Sequence, residues 1–242
     1  MGARLTYPEI TLAEDRTYIV TGGNGGIGYE TAKYIAAHGG RVIIACRSEE
    51  RADGPDTLNV EFMKLDLESL TSTMEFINAY KAKGYPLHVL ICNAGIAFIS
   101  YTETADGFEK TFQVNYLSHL LLILHLIPLL RTSGPNSRIV MVSSLAHVFG
   151  SFNLDNIQGE QSYDRFTFYG HSKLYQIMSM YALDRRLKNT GIGIFAVHPG
   201  TVETGLATNN WTESKILVPI THNFLKLFLY VFQSPAIWET LL

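Results

Sequence analysis

With two cysteines, eight prolines, a net charge of −3 and 17% charged residues in 242, the chain lacks the marks of several protein classes at once. Sparse, nearly balanced charge argues against a nucleic-acid coat, and no nucleic-acid partner is expected. Cys46 and Cys92 fall near the ends of predicted strands that one other strand separates, about 10 Å apart, which is too far for a disulfide. They read as buried free thiols in a reducing compartment. The longest apolar run, LLLILHLIPLL at 120–130, contains His125 and Pro128 and is too short to span a bilayer, so it reads as a buried or interface helix. The opening MGARLTYPEITLAEDR is polar without an apolar core, which predicts neither a secretory signal nor an N-terminal anchor. No spacer, repeat or charge block divides the chain, so residues 1–242 are expected to form a single domain. No metal site is expected.

What the chain does have is glycine in one place: TGGNGGIG at 21–28, five glycines in eight positions. Thr17-Tyr18-Ile19-Val20 before it reads as a buried strand, and Ile27, Thr31, Tyr34 and Ile35 after it recur at helical spacing until Gly39-Gly40. A strand-to-helix turn without side chains lets a pyrophosphate approach backbone N–H groups at a helix N-terminus, although glycine-rich turns also serve simply as tight turns.

Further strands are predicted at 41–46, 60–67, 87–95, 137–144 and 191–200, with helices over 69–83, 108–130 and 169–188. Strands apolar on both faces alternating with helices argue for a parallel sheet covered on both sides, the doubly wound α/β class. Ligands of such sheets bind beyond the strands' C-terminal ends, where strand order reverses. Those tips hold the glycine turn, Arg47, Asp66, Asn93-Ala94-Gly95, Ser143-Ser144 and Pro199-Gly200.

Tyr169 and Lys173, in YGHSK, are expected to open a helix at i and i+4 on one face, so that the ammonium lowers the phenol pKa from its usual value of about 10. A surface Tyr–Lys pair would have the same spacing. Ser144 could donate a hydrogen bond to a substrate oxygen. Asn115 is a poor helix-interior residue. If buried it must satisfy its amide with partners or water, and if exposed it needs none. At the tip of the second strand no acid stands where an NAD ribose diol would be held. Arg47 there can neutralise a 2′-phosphate, which favours NADP(H). Asp66 could accept from an adenine amino group, with Leu67 beside the ring.

In combination and order, these motifs resemble the short-chain dehydrogenase/reductase family, in its retinol and polyprenol dehydrogenase-like branch. TGxxxGxG is matched by Thr21, Gly22, Gly26 and Gly28, NNAG by Cys92 to Gly95, YxxxK by Tyr169 and Lys173, and PGxxxT by Pro199, Gly200 and Thr204. The resemblance implies a Rossmann fold and catalysis by Asn115, Ser144, Tyr169 and Lys173. Tyr169 would exchange the proton, Ser144 polarise the substrate oxygen, and Lys173 hold the nicotinamide ribose, while Asn115 supports a water that passes protons through Lys173. It also implies NADP(H) contacts by Asn24 and Ile27 in the glycine turn, by Asn93, Ala94 and Gly95, and by Val202 and Thr204 after the last strand.

Three departures from the pattern stand out. Cys92 replaces the first asparagine of NNAG, the segment after Arg47 is short, so that its helix is expected to be stunted, and the chain stops before the family's last helix and strand. Residues 201–242, rich in Leu, Phe, Ile and Trp, are expected to cover a pocket for a lipophilic alcohol or carbonyl compound such as a retinoid, steroid, polyprenoid or fatty aldehyde. Within them, 216–232 suits an amphipathic helix over that pocket or on a membrane surface. A homodimer through the long helices is expected, in the cytoplasm or at the cytosolic face of a membrane. The alternative is a truncated, catalytically silent cofactor-binding or interaction protein.

Overall fold

The computed structural model describes residues 16–48 and 59–199. Six parallel strands form one sheet in the order β3-β2-β1-β4-β5-β6: β1 Thr17–Thr21, β2 Arg41–Cys46, β3 Val60–Lys64, β4 Val89–Cys92, β5 Ser137–Val142 and β6 Ile192–Val197. The order reverses between β1 and β4, and the expected doubly wound α/β fold is present. Cys46 on β2 and Cys92 on β4 are free and buried, with β1 between them.

Alternation along the strands fills both faces. Tyr18, Val20, Val42 and Ile44 pack against Ala32 and Ile35 of α1 (Gly26–Ala37). Ile19, Ile43 and Leu90 face the other way, onto Phe76 and Tyr80 of α2 (Leu70–Ala82) and Leu122 and Leu126 of α4 (Ser118–Thr132). Helix α1 stops where Gly39 takes φ +88°: Gly39 N–H donates to Ala36 and Gly40 N–H to Ile35, a Schellman closure.

Four strands are shorter than their apolar runs. Residues 65–67, 93–95, 143–144 and 198–199 leave the ladder, and these are the strand tips that carry the candidate ligand-binding residues. The long central helix begins at α3 (Lys110–Phe112), capped by the buried Glu109 carboxylate, and passes through a π-helical turn, Gln113–Leu117, into α4. The apolar run at 120–130 thus belongs to a 23-residue helix, Lys110–Thr132, which contains an 18-residue window of mean hydropathy 1.5 and is long and apolar enough to cross a membrane, although half of that window is buried in the fold.

Helix α5 (Arg165–Arg186) starts four residues earlier than its apolar pattern indicates, because Asp164 caps it by accepting from Thr167 N–H at 2.8 Å. Tyr169 and Lys173 therefore lie inside α5 rather than opening it. The segment expected to be stunted, 49–58, and the expected pocket cover, 201–242, lie outside the described residues, as do Gly200, Val202 and Thr204.

Candidate active site

A cavity of about 370 Å³ opens along the C-terminal ends of β1, β2, β3 and β4. Gly22, Asn24, Arg47, Asp66, Leu67, Ala94 and Gly95 line it, and these are seven of the residues expected to hold a dinucleotide. The glycine turn closes on itself tightly: Gly22 and Gly26 have φ of +64° and +51°. A Cβ at Gly28 would lie 2.3 Å from the Gly22 carbonyl oxygen and 2.4 Å from Asn93 Nδ2, a clash with backbone that nothing nearby can yield to. Gly25, the N-cap of α1, contributes no capping side chain, and the first turn, which includes Ile27, holds no acid. The N–H groups of that turn thus have no side-chain partner and carry the positive end of the helix dipole, a fit for a pyrophosphate.

Thr21 fastens this turn to the tip of β4. Its buried hydroxyl accepts from the N–H groups of both Asn93 and Ala94 at 2.9 Å, and Asn93 Nδ2 donates back to the Thr21 carbonyl at 2.9 Å. His119 Nε2, from α4, lies 2.9 Å from the same hydroxyl, while its Nδ1 is 3.2 Å from the Asn115 carbonyl. A carbonyl only accepts, so Nδ1 carries the hydrogen and Nε2 takes the Thr21 proton. Burial holds the imidazole neutral, with its pKa pushed down to about 4.

Asn115 sits in the π-helical turn, fully buried, which excludes the exposed reading. Its Oδ1 accepts from Ile96 N–H at 2.8 Å, and its Nδ2 donates to the Ile96 carbonyl at 2.9 Å and to Ser172 Oγ at 3.0 Å. Protein groups satisfy the amide, and the backbone carbonyl accepts from Gln176 Nε2 at 2.9 Å besides His119. A π turn breaks the i→i+4 ladder, and such turns are common at functional sites.

Gly95 joins the cavity to the polar cluster: a Cβ there would come within 3.1 Å of Asn115 Oδ1 and 3.7 Å of Lys173 Nζ. Lys173 is buried and donates to the Val142 carbonyl at 2.9 Å. Burial lowers its pKa to about 8. The Ser144 hydroxyl lies near enough to the Tyr169 phenol to favour its ionised form, whereas Ser143 donates to the Lys173 carbonyl at 3.0 Å. Of the two serines, then, it is Ser144 that meets Tyr169.

One electrostatic expectation is corrected. The Tyr169 phenol lies above its usual range, because burial outweighs the lowering by Ser144. The Lys173 ammonium stands 5.5 Å from the centre of the tyrosine ring.

Arg47 is not free either. Its Nη1 donates to Glu68 Oε1 at 2.9 Å, and Lys110 Nζ holds Glu68 Oε2 at 2.8 Å. Asp66 Oδ1 accepts from Glu68 N–H at 2.9 Å. Pro199 follows β6, beside His198, whose Nδ1 accepts from Leu145 N–H at 3.2 Å and so ties the loops after β5 and β6 together. Sequence reasoning missed Glu68, His119 and Phe98. His119 lies one helical turn after Asn115, a spacing that could have flagged it. Glu68 carries no local signal. Phe98, in the left-handed region at φ +57°, packs its ring 5.0 Å from that of Tyr169 and 4.9 Å from that of Phe166.

Comparison with known proteins gives the family to which this arrangement belongs. The chain belongs to the short chain dehydrogenase family, whose model matches residues 16–215. It is 43% identical over 203 residues to human retinol dehydrogenase 11, covering 81% of this chain and 64% of that protein. To human polyprenol dehydrogenase it is 42% identical over 203 residues, covering 78% and 62%. The chain thus spans a little under two-thirds of these relatives' length. Among solved structures, a short-chain dehydrogenase/reductase of unknown function from Caenorhabditis elegans, determined with cofactor, is 26% identical with a TM-score of 0.66, covering 83% of this chain and 74% of that one.

Proposed function

We propose that the chain is an NADP(H)-dependent oxidoreductase that interconverts an alcohol and a carbonyl group on a lipophilic substrate. The observation that carries this reading is the adjacency of two sites: an uncapped helix terminus behind the glycine turn at one end of the cavity, and Ser144, Tyr169 and Lys173 beyond Gly95 at the other. When bound, the nicotinamide supplies or accepts the hydride.

The chain's residues handle the proton and the position. In oxidation Tyr169 takes the hydroxyl proton as the carbonyl forms, and in reduction it returns one; Ser144 holds the same oxygen by a hydrogen bond. Lys173 would hold the nicotinamide ribose, and Asn115 fixes Ile96 and Ser172 by hydrogen bonds. Pro199, Gly200, Val202 and Thr204 would help to hold the cofactor.

A lipophilic substrate is supported by the apolar ledge beside this cluster: Leu145, Val148, Phe149, Phe152 and Phe166 are exposed, Phe149 to 76%. The names of the retinol and polyprenol relatives point the same way. Dimerisation through α4 and α5, supported by exposed Leu124, Met178 and Tyr181, and residence in the cytoplasm or on the cytosolic face of a membrane belong to the same reading. Titration with NADPH and NADH, followed by thermal stabilisation and nicotinamide fluorescence, tests the cofactor. Tyr169→Phe should abolish turnover and leave cofactor binding within about tenfold, and unchanged turnover would remove Tyr169 from the mechanism.

A further inference from the structure

Glu68 belongs to neither the glycine turn nor the Ser144–Tyr169–Lys173 group, yet it lines the same cavity, at the end marked by Arg47 and Ser48. Its two oxygens have separate partners, Arg47 Nη1 at 2.9 Å and Lys110 Nζ at 2.8 Å. The hydrogen bond from its own N–H to Asp66 Oδ1 fixes the turn from which the side chain projects. Among the described residues, the charged lining is therefore one cation, Arg47, against two carboxylates, Asp66 and Glu68, and Lys110 stands behind Glu68 outside the lining.

A nucleotide bearing a 2′-phosphate needs the guanidinium of Arg47, one nitrogen of which Glu68 already holds. A nucleotide bearing a free 2′-hydroxyl needs an acceptor instead, and Glu68 is one. We infer that Glu68 sets the discrimination between 2′-phosphorylated and unphosphorylated nucleotides by competing for Arg47, and that Lys110 governs how readily it lets go. The inference rests on reading the cavity as a nucleotide site.

The burial of the three side chains supports the division of labour. Arg47 is 66% exposed, whereas Glu68 and Lys110 are 28% and 27% exposed. The Glu68–Lys110 pair is the better shielded from water and the less screened, so it persists when Arg47 swings to a phosphate, and Glu68 is never left as an unpaired anion in the cavity. Without Lys110, Glu68 has only Arg47 among the described residues and holds it more firmly.

The test is calorimetric titration of the whole chain with adenosine 2′,5′-bisphosphate and with AMP, for wild type, Glu68→Gln and Lys110→Met. Glu68→Gln should raise the bisphosphate-over-AMP affinity ratio by about three- to tenfold, through tighter bisphosphate binding, and Lys110→Met should lower it by a similar factor. Lys110→Met carries the test alone if Glu68→Gln does not fold. If the wild type binds both nucleotides and the ratio stays within about twofold in the variants, the role of Glu68 is overturned and the oxidoreductase reading stands. A shifted ratio in a chain that turns over no nicotinamide substrate supports Glu68 and removes the oxidoreductase reading. A wild-type chain that binds neither nucleotide overturns both.

Discussion

Replacing Thr21 by valine removes one hydroxyl and preserves the shape of the side chain, so the cost of the change measures what that hydroxyl holds. It has a full complement: two amides donate to it at 2.9 Å each, and it donates to His119 Nε2 at 2.9 Å. In the variant, Asn93 N–H, Ala94 N–H and the imidazole nitrogen all lose their partner around a residue that is 0% exposed. At about 1–3 kcal/mol for each orphaned group, reduced because the Asn93–Ala94 segment is only part-buried and can relax, the loss should be about 3–5 kcal/mol. That is a large fraction of the roughly 5–15 kcal/mol a domain usually has.

Thr21→Ser keeps the hydroxyl and loses a methyl group, which should cost about 1 kcal/mol. Urea unfolding followed by far-ultraviolet circular dichroism measures both, provided the transition is two-state. His119→Phe should be less than additive with Thr21→Val, because the two changes remove the same hydrogen bond. A valine variant within about 1 kcal/mol of wild type, or a serine variant as damaged as the valine one, would refute the assignment of Thr21 as the hub.

Three further outcomes follow from the site. Lys173 has a folded-state pKa of about 8 against 10.5 unfolded, so between these values the unfolded chain binds more protons and stability should rise with pH by at most about 3 kcal/mol. The stability difference between wild type and Lys173→Met, measured at intervals from pH 7 to 10.5, should show that rise, and a flat difference would mean the lysine is not charged and buried as described. Gly28→Ala should abolish nucleotide binding in a thermal-shift titration or prevent folding altogether, since its Cβ would meet the Gly22 carbonyl at 2.3 Å. Arg47→Asp should move cofactor preference toward NADH in parallel titrations of the two cofactors, and an unmoved preference would take Arg47 out of phosphate recognition.

Local patterns made most of the fold and half of the site legible. The strand, glycine turn and first helix lie within about twenty consecutive residues, and the Tyr169–Lys173 spacing survives any small error in where the helix starts. The periodicity does not show that start because a cap is a single side chain: Asp164 extends α5 over residues whose apolar periodicity is weak. The Tyr169 pKa went the other way because sequence spacing gives the distance between two side chains along a helix but not their burial, and here burial is the larger effect. Thr21 and His119 meet across 98 residues, and Arg47 and Glu68 across 21 and two strands. Such pairs depend on strand order and register, which no local window contains.

The Thr21 hydroxyl reaches beyond affinity and stability. Asn93 and Ala94 lie past the last ladder pair of β4, Cys92 with Met141, in a stretch that by secondary structure is ordinary loop. Their amides are nevertheless pinned to a buried oxygen. Deuterium should therefore enter these two positions about as slowly as it enters the strand before them, and slow exchange at amides outside any ladder would mark a part of the cavity floor that does not move when the rim does.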